Sequence, residues 1–435
     1  MPDVRQSGMH PALSAGVRAR GRGVFRVRRR LAADRSSRLG KRVRESGSNV
    51  QCVNAYLTTE AAERLRHGAT ALRREDLLSV EGSPLPGVPV QLLDPDGLTV
   101  GHGDLELDGP GPIAVRRLGL PDDPVEGVVP RQMRRALSRR AQLVDDPRFC
   151  RLVNDDGDGL PGLVIDRFDG HVVVQTTTRA MDARHDEIVR ALAEVVDTRS
   201  VLLRNDTARR VRAGLPKDRS RVLSGAPPRW IRISELGARL TIDLHQGYDT
   251  GYSYALREVR RIVARLAPDA RVLDPACAVG GAVIQAGLHG ARHIVAFARD
   301  ADSADLAQEN IEANGLMGRA RVDMATPLEA LRALDEVFDL VLLHAPVRGV
   351  DQTSWAKELD ELIYLSLRAT RHGGKLLVAA PDAALGDEPL ESIILRSCRR
   401  EGRQAFRLIR PAAPADFPAV AGAPEPLASV VLEIA

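Results

Sequence analysis

Residues 271–281, R-V-L-D-P-A-C-A-V-G-G, hold the side chains and spacing best suited to chemistry in this chain. An apolar run ends in the carboxylate Asp274. A turn of small residues carrying the thiol Cys277 follows, and Gly280-Gly281 lead into a helical pattern. Glycines let the backbone approach a ligand closely, and a helix N-terminus presents its positive dipole end to it. A dinucleotide or S-adenosylmethionine (SAM) site begins in this way. Asp274, Cys277, Gly280 and Gly281 are therefore candidate cofactor contacts, although Cys277 is more readily explained by packing. A valine at Gly280 is expected to push two methyls into the cofactor. No G-x-x-x-x-G-K-[ST] occurs, which argues against a P-loop.

The elements that must hold this turn follow it in order. Residues 281–288 have helical spacing and close at Gly290. Strand 293–298 is followed by the acids Asp300 and Asp302, candidate cofactor contacts of which one would reach ribose hydroxyls if the loop shifts by two residues. Helix 303–313 stops at Asn314-Gly315, and 321–324 is a short strand. Helix 328–334 precedes the strand 338–343, which runs into His344-Ala345-Pro346. Helix 358–369 and strand 375–379 complete the series. Alternation of this kind predicts an α/β fold, with a Rossmann-like cofactor domain and a parallel-type sheet over 235–435.

Upstream the pattern changes. Residues 53–124 read as short strands (88–93, 98–103 and 113–118) separated by turns, the signature of a small β-barrel. Residues 130–143 form an amphipathic helix with Met133, Ala136 and Leu137 inward. Arg131, Arg134, Arg135, Arg139 and Arg140 are expected outward, as a solvated surface or a phosphate-contacting face. With strands at 162–166, 171–176 and 200–204, segment 130–234 reads as this basic helix and an α+β central domain.

Charge is unevenly distributed. Residues 1–50 hold thirteen Arg and Lys against three Asp and Glu, leaving forty-nine against fifty-five in the rest. This basic tail lacks apolar periodicity and is expected to stay unpacked. It reads either as an RNA-binding arm or as translation from an upstream start codon. No apolar run of about eighteen residues occurs, so no membrane helix is expected. Cys52, Cys150, Cys277 and Cys398 are scattered without a C-x-x-C pair, so no metal or disulfide is expected. A cytoplasmic protein with reduced thiols fits these features, and a homodimer is compatible with them.

Four stretches carry a family resemblance. R-L-V-N-D-D-G-D-G-L-P-G-L-V-I-D-R-F-D-G (151–170), L-L-R-N-D-T-A-R-R-V-R-A-G-L (202–215), H-Q-G-Y-D-T-G-Y-S-Y-A-L-R (245–257) and V-L-D-P-A-C-A-V-G-G resemble the bacterial SAM-dependent methyltransferases of carbon 5 of a cytosine in large-subunit ribosomal RNA. Asp416-Phe417-Pro418 matches a family Asp-His-Pro. The resemblance implies a PUA-like RNA-binding barrel, a central domain and a SAM domain in that order, with SAM as cofactor and ribosomal RNA as partner.

The departures are specific. The family's ribose-binding acid falls on Ala298 and its adenine-side acid on Thr326, which stays a candidate cofactor contact. Its Asp-Pro-Pro falls on His344-Ala345-Pro346. Its cysteine segment falls on Ala379-Ala380-Pro381, which holds no thiol. A family lysine falls on Asp249, and an Asp-Gln pair on Ala255-Leu256. Carbon 5 of cytosine is a poor nucleophile that such enzymes activate by adding a thiolate to the ring. Two readings follow. One is an RNA methyltransferase with altered target chemistry, in which His344, and more weakly Pro346, sit beside the reacting base. The other is a catalytically silent relative that binds RNA or assists ribosome assembly.

Overall fold

The computed structural model describes residues 53–82, 85–107, 109, 111–120, 122–218, 220–345, 352–380, 390–420 and 427–435. The basic tail and Pro346 lie outside these residues. The chain from Gln51 to Ala435 is one compact unit.

Its first sheet comprises β1 (Val53–Leu57), β2 (Ala71–Arg73), β3 (Leu77–Val80), β4 (Val90–Leu93), β5 (Thr99–Leu105) and β6 (Ile113–Arg117), with α1 (Thr59–Arg66) packed on it. The strand order is β2-β6-β5-β4-β1-β3. The two edge strands are joined by only residues 74–76, a span of about 10–14 Å at most. The sheet must therefore curl until its edges approach, and no pairing of β2 with β3 joins them among the described residues. Leu57, Leu65, Leu72, Leu92 and Val115 fill its interior.

The long helix α2 (Val128–Leu143) then packs on a five-stranded sheet, β11-β10-β9-β8-β7. It contains β7 (Phe149–Asn154), β8 (Leu163–Phe168), β9 (His171–Thr176), β10 (Ser200–Leu203) and β11 (Arg221–Gly225), with α3 (Arg179–Asp182), α4 (His185–Val195) and α5 (Ala208–Arg212) between them. Met133 and Ala136 face its core as expected. Arg140, expected on the outer face, is instead only 1% exposed. Its Nη1 and Nη2 donate to both carboxylate oxygens of Asp158 at 2.7 Å, and Nη2 also donates to the carbonyl of Asp416 at 2.8 Å. Its residue type, not its spacing, suggested the outer face: it stands seven, four and three residues beyond Met133, Ala136 and Leu137, on their inward side, where the buried Asp158 carboxylate receives it.

The hairpin β12 (Trp230–Glu235) and β13 (Ala238–Asp243) precedes the cofactor domain. Its elements are α6 (Arg257–Leu266), β14 (Arg271–Asp274), α7 (Gly281–Leu288), β15 (His293–Ala298), α8 (Ala301–Ala313), β16 (Ala320–Met324), α9 (Pro327–Ala333), β17 (Phe338–His344), α10 (Gln352–Ala369), β18 (Thr370–Ala380), α11 (Leu390–Glu401), β19 (Ala405–Ile409) and β20 (Ala428–Ile434). The seven strands run β16-β15-β14-β17-β18-β20-β19. The β14–β15, β14–β17, β15–β16 and β17–β18 pairs are parallel, and β20 is antiparallel to both neighbours. This is a Rossmann-like α/β sheet. From β14 the chain winds out through β15 to β16 and returns on the other side at β17, which puts the topological switch point between β14 and β17.

The Arg140–Asp158 pair gives a stability test. Removing one partner of a buried ion pair strands the other charge and costs about 3–5 kcal/mol, whereas an exposed pair contributes at most about 1 kcal/mol. Asp158→Ala should lower stability by the larger amount in urea denaturation. Arg134→Ala, which breaks an exposed pair with Glu194, should stay within the smaller one.

Candidate functional site

The turn after β14 is forced by its sequence. Pro275 lacks the N–H needed to continue the ladder. Asp274 then accepts the N–H of Ala276 at 3.1 Å, and Gly280 caps α7 with φ +84°. Ala278 holds φ +47°, a conformation that strains a residue with a side chain and that clusters at functional turns.

Two adjoining spaces open at this turn. A small cavity of about 70 Å³ is lined by Asp274, Cys277, Gly281, Arg260, Leu256 and Ala379. A cleft of about 520 Å³ is lined by Trp230, Gln246, Arg299, Asp300, Asp302 and Pro327. Tyr248, Ala276, Ala278, Val279 and His344 border both. The residues come from the carboxyl ends of β14, β15 and β17, the first turn of α9 and the hairpin, which is where open α/β sheets bind ligands. The cleft lies in the usual range for small-molecule sites, about 300–1,000 Å³.

Asp274 is 4% exposed and makes no ion pair among the described residues. Burial, only partly offset by the Ala276 N–H, pushes its carboxyl up to about 7. His344 stands at the end of β17, its ring edge-on to Tyr248 with centroids 5.7 Å apart. Burial, helped by the Arg260 guanidinium, pushes its imidazole down to about 4, so it is neutral at physiological pH. That guanidinium is held by Glu235 and donates to the carbonyl of Ser253 at 3.0 Å.

The cofactor candidates divide. Asp274, Cys277 and Gly281 line the small cavity, and Asp300 and Asp302 line the cleft. Asp300 also caps α8 by accepting the Ser303 N–H at 2.9 Å, and Asp302 pairs with Arg229 at 3.3 Å. Gly280 lines neither space. A Cβ there would sit 3.6 Å from the Ala307 Cβ, so a side chain points toward α8 and the expected clash with cofactor does not arise. The glycine answers to its positive φ. Thr326 is not a lining residue either; it caps α9 in a reciprocal box with Glu329, and the adjacent Pro327 faces the cleft.

None of the five α2 arginines lines either space. Arg131 and Arg135 pair with Asp123, Arg134 with Glu194, and Arg139 and Arg140 with Asp158. The acids were invisible to a reading of the helix alone because they lie elsewhere in the chain. Tyr248 was missed as a site residue although it stands inside the quoted segment 245–257; its exposure beside His344 is a tertiary fact. Trp230 carried no motif at all.

No thiolate serves this site among the described residues. Cys150, Cys277 and Cys398 are buried, and burial raises each thiol, that of Cys150 to about 12. No group of acids, histidines and cysteines suited to a metal occurs among the described residues. No described helix is long and apolar enough to cross a membrane.

No family model matches the chain. It is similar to the ribosomal RNA large subunit methyltransferase I of Klebsiella pneumoniae, 28% identical over 306 residues that cover 68% of this chain and 76% of that protein. The same-named protein of Cronobacter sakazakii is 26% identical over 361 residues, 80% and 90% of the two chains. These relatives bear out the resemblance read from the sequence. Among solved structures, a Streptococcus mutans protein assigned as a SAM-dependent methyltransferase superposes with a TM-score of 0.72 at 18% identity, covering 87% of this chain and 99% of that one. A second methyltransferase structure with the same match is complexed with SAH. The fold is thus that of SAM-dependent methyltransferases.

An unpaired carboxyl lifted to about 7 suits a cationic ligand, and SAM carries a sulfonium and an ammonium. A cation beside Asp274 favours its ionised form, so SAM affinity should rise with pH up to about 7 and then level, by at most about tenfold per unit. Calorimetry across that interval checks it; the Asp274→Asn variant should bind weakly and without the slope.

Proposed function

We propose that this chain is a SAM-dependent methyltransferase acting on RNA, with ribosomal RNA as its substrate in the cytoplasm. The observation that carries the reading is the glycine turn at the β14/β17 switch point, opening on a small cavity that holds the buried Asp274 carboxyl and on the cleft that adjoins it. The similarity to ribosomal RNA large subunit methyltransferases supports the substrate class. The curled sheet over 53–124 is the natural RNA-recruiting module, with the central segment 130–234 joining it to the catalytic domain 235–435. The basic tail 1–50 would add sequence-independent affinity for phosphate.

When bound, SAM supplies an electrophilic methyl group. The chain's part is to hold that cation and to place an acceptor in line with it. Asp274 provides the negative charge, and Ala276, Ala278 and Val279 line both spaces. Asp300 offers carboxylate at the cleft rim. His344 and Tyr248 form a wall against which a base can be oriented, and the neutral imidazole offers a nitrogen lone pair that accepts a hydrogen bond. No described thiol can add to a pyrimidine ring, so the acceptor should be a nitrogen or oxygen atom, which needs positioning and proton removal only.

The substitutions at Ala298, Thr326 and 379–381 favour a second reading, a silent relative that keeps the scaffold for RNA binding. Incubation of the purified chain with labelled SAM and ribosomal RNA from a strain lacking the gene separates the two. Mass spectrometry of the nucleosides should find a new N- or O-methyl mark; 5-methylcytidine would refute the acceptor assignment, and no SAM binding would leave the silent relative. His344→Ala should cut kcat by about a hundredfold with little change in SAM affinity. Among the α2 arginines, Arg134 can be reversed without stranding a buried acid. Arg134→Glu should make the salt dependence of RNA binding shallower, and an unchanged slope would leave α2 with internal ion pairing alone.

A further inference from the structure

Trp230 opens the β12–β13 hairpin. That hairpin buries Ile233, Leu240 and Ile242 in the core of the cofactor domain, yet Trp230 stays 44% exposed on the wall of the cleft. A lone exposed aromatic is ordinary. This one is braced. The Arg229 guanidinium lies 4.4 Å from its ring centroid. Arg229 is itself fixed, with Nε donating to Asp243 at 2.8 Å and Nη2 to Asp302 at 3.3 Å. One side chain thus ties the indole to the first turn of α8.

That turn marks one end of the cleft. In doubly wound folds the ribose of a bound nucleotide meets the acid beyond the second strand, here the region of Asp300 and Asp302 after β15. Leu306 and Pro327 give the same end an apolar lining. The strand's last residue is Ala298, which offers no ribose hydrogen bond, and Asp302 is engaged by Arg229. A nucleoside held here must draw more of its affinity from its base.

We propose that Trp230 is a cofactor-binding residue that stacks on the adenine of SAM, with Arg229 as its brace. The inference rests on the SAM reading above and deepens it. Stacking of a base on an aromatic side chain is strong enough to change affinity about 10- to 100-fold.

The test is a fluorescence titration of the full chain with S-adenosylhomocysteine and with 5′-methylthioadenosine. Trp355, the second tryptophan, is buried on α10 and supplies a constant background. Both ligands should quench Trp230 emission. Trp230→Ala should weaken both about 10- to 100-fold by calorimetry, and Trp230→Phe should keep affinity within about threefold, which controls for folding. Wild-type binding with unchanged Trp230→Ala affinity overturns the inference alone, including the case in which only RNA affinity falls and Trp230 belongs to the substrate. A wild-type chain that binds neither ligand overturns the cofactor reading as well.

Discussion

The arrangement turns on a buried carboxylate near the C-terminus. Asp416 is fully buried, accepts the Arg257 guanidinium at 2.7 Å and the Arg151 backbone N–H at 2.9 Å, and its own carbonyl receives Arg140. These donors come from α6, β7 and α2. Charges taken out of water are tolerated only when their hydrogen bonds are complete, so each donor fixes the others. The segment lies so close to the loop after β7 that a Cβ on Gly157 would fall 1.8 Å from the Pro418 carbonyl oxygen. This acid thus ties the central sheet to the cofactor domain, alongside the Thr250–Asp166 and Tyr254–Arg167 hydrogen bonds.

The tie reaches the site through α6. Arg257 bonds Glu235, which also holds Arg260 and the Tyr252 hydroxyl at 2.8 Å, and Arg260 lines the small cavity beside His344. Burial drives Asp274 and His344 toward neutrality from opposite directions, and Arg260 adds to the effect on His344 alone. The carboxyl's folded value lies above its unfolded one, so its contribution to stability falls as pH climbs from about 4 to about 7. The imidazole's folded value is depressed, so its contribution rises between about 4 and its ordinary value near 6.5. The two effects oppose each other over nearly the same interval. Stability against pH is thus a poor reporter of this site, and ligand affinity is a good one.

Much of the cofactor domain was legible because its signals are local. The apolar run before Asp274, the positive-φ glycine and the breaks at Gly290 and Gly315 each act within a few residues, and the elements they imply match β14, α7 and α8 closely. The same locality misled at Gly280, where a glycine suggested contact with ligand but serves a backbone angle. At Thr326 the local signal was right, since the capping-box spacing to Glu329 stands in the sequence, and it was alignment with a family acid that misled. On α2 the charge of Arg140 suggested the solvent side, although the helical period sets it on the inward face with Met133 and Ala136, where it is buried.

The sequence by itself determined the alternation of strands and helices and the position of the cofactor turn, since each depends on neighbours along the chain, and it shows that residues 379–381 hold no thiol. Only the tertiary structure decided which charges are paired, that Trp230 and Tyr248 share a cleft with His344, and that Asp274 stands without a cation. Those facts depend on contacts between residues as far apart as Arg140 and Asp416. In a buried, low-dielectric setting such distant partners decide whether a group is charged, and no local pattern encodes them.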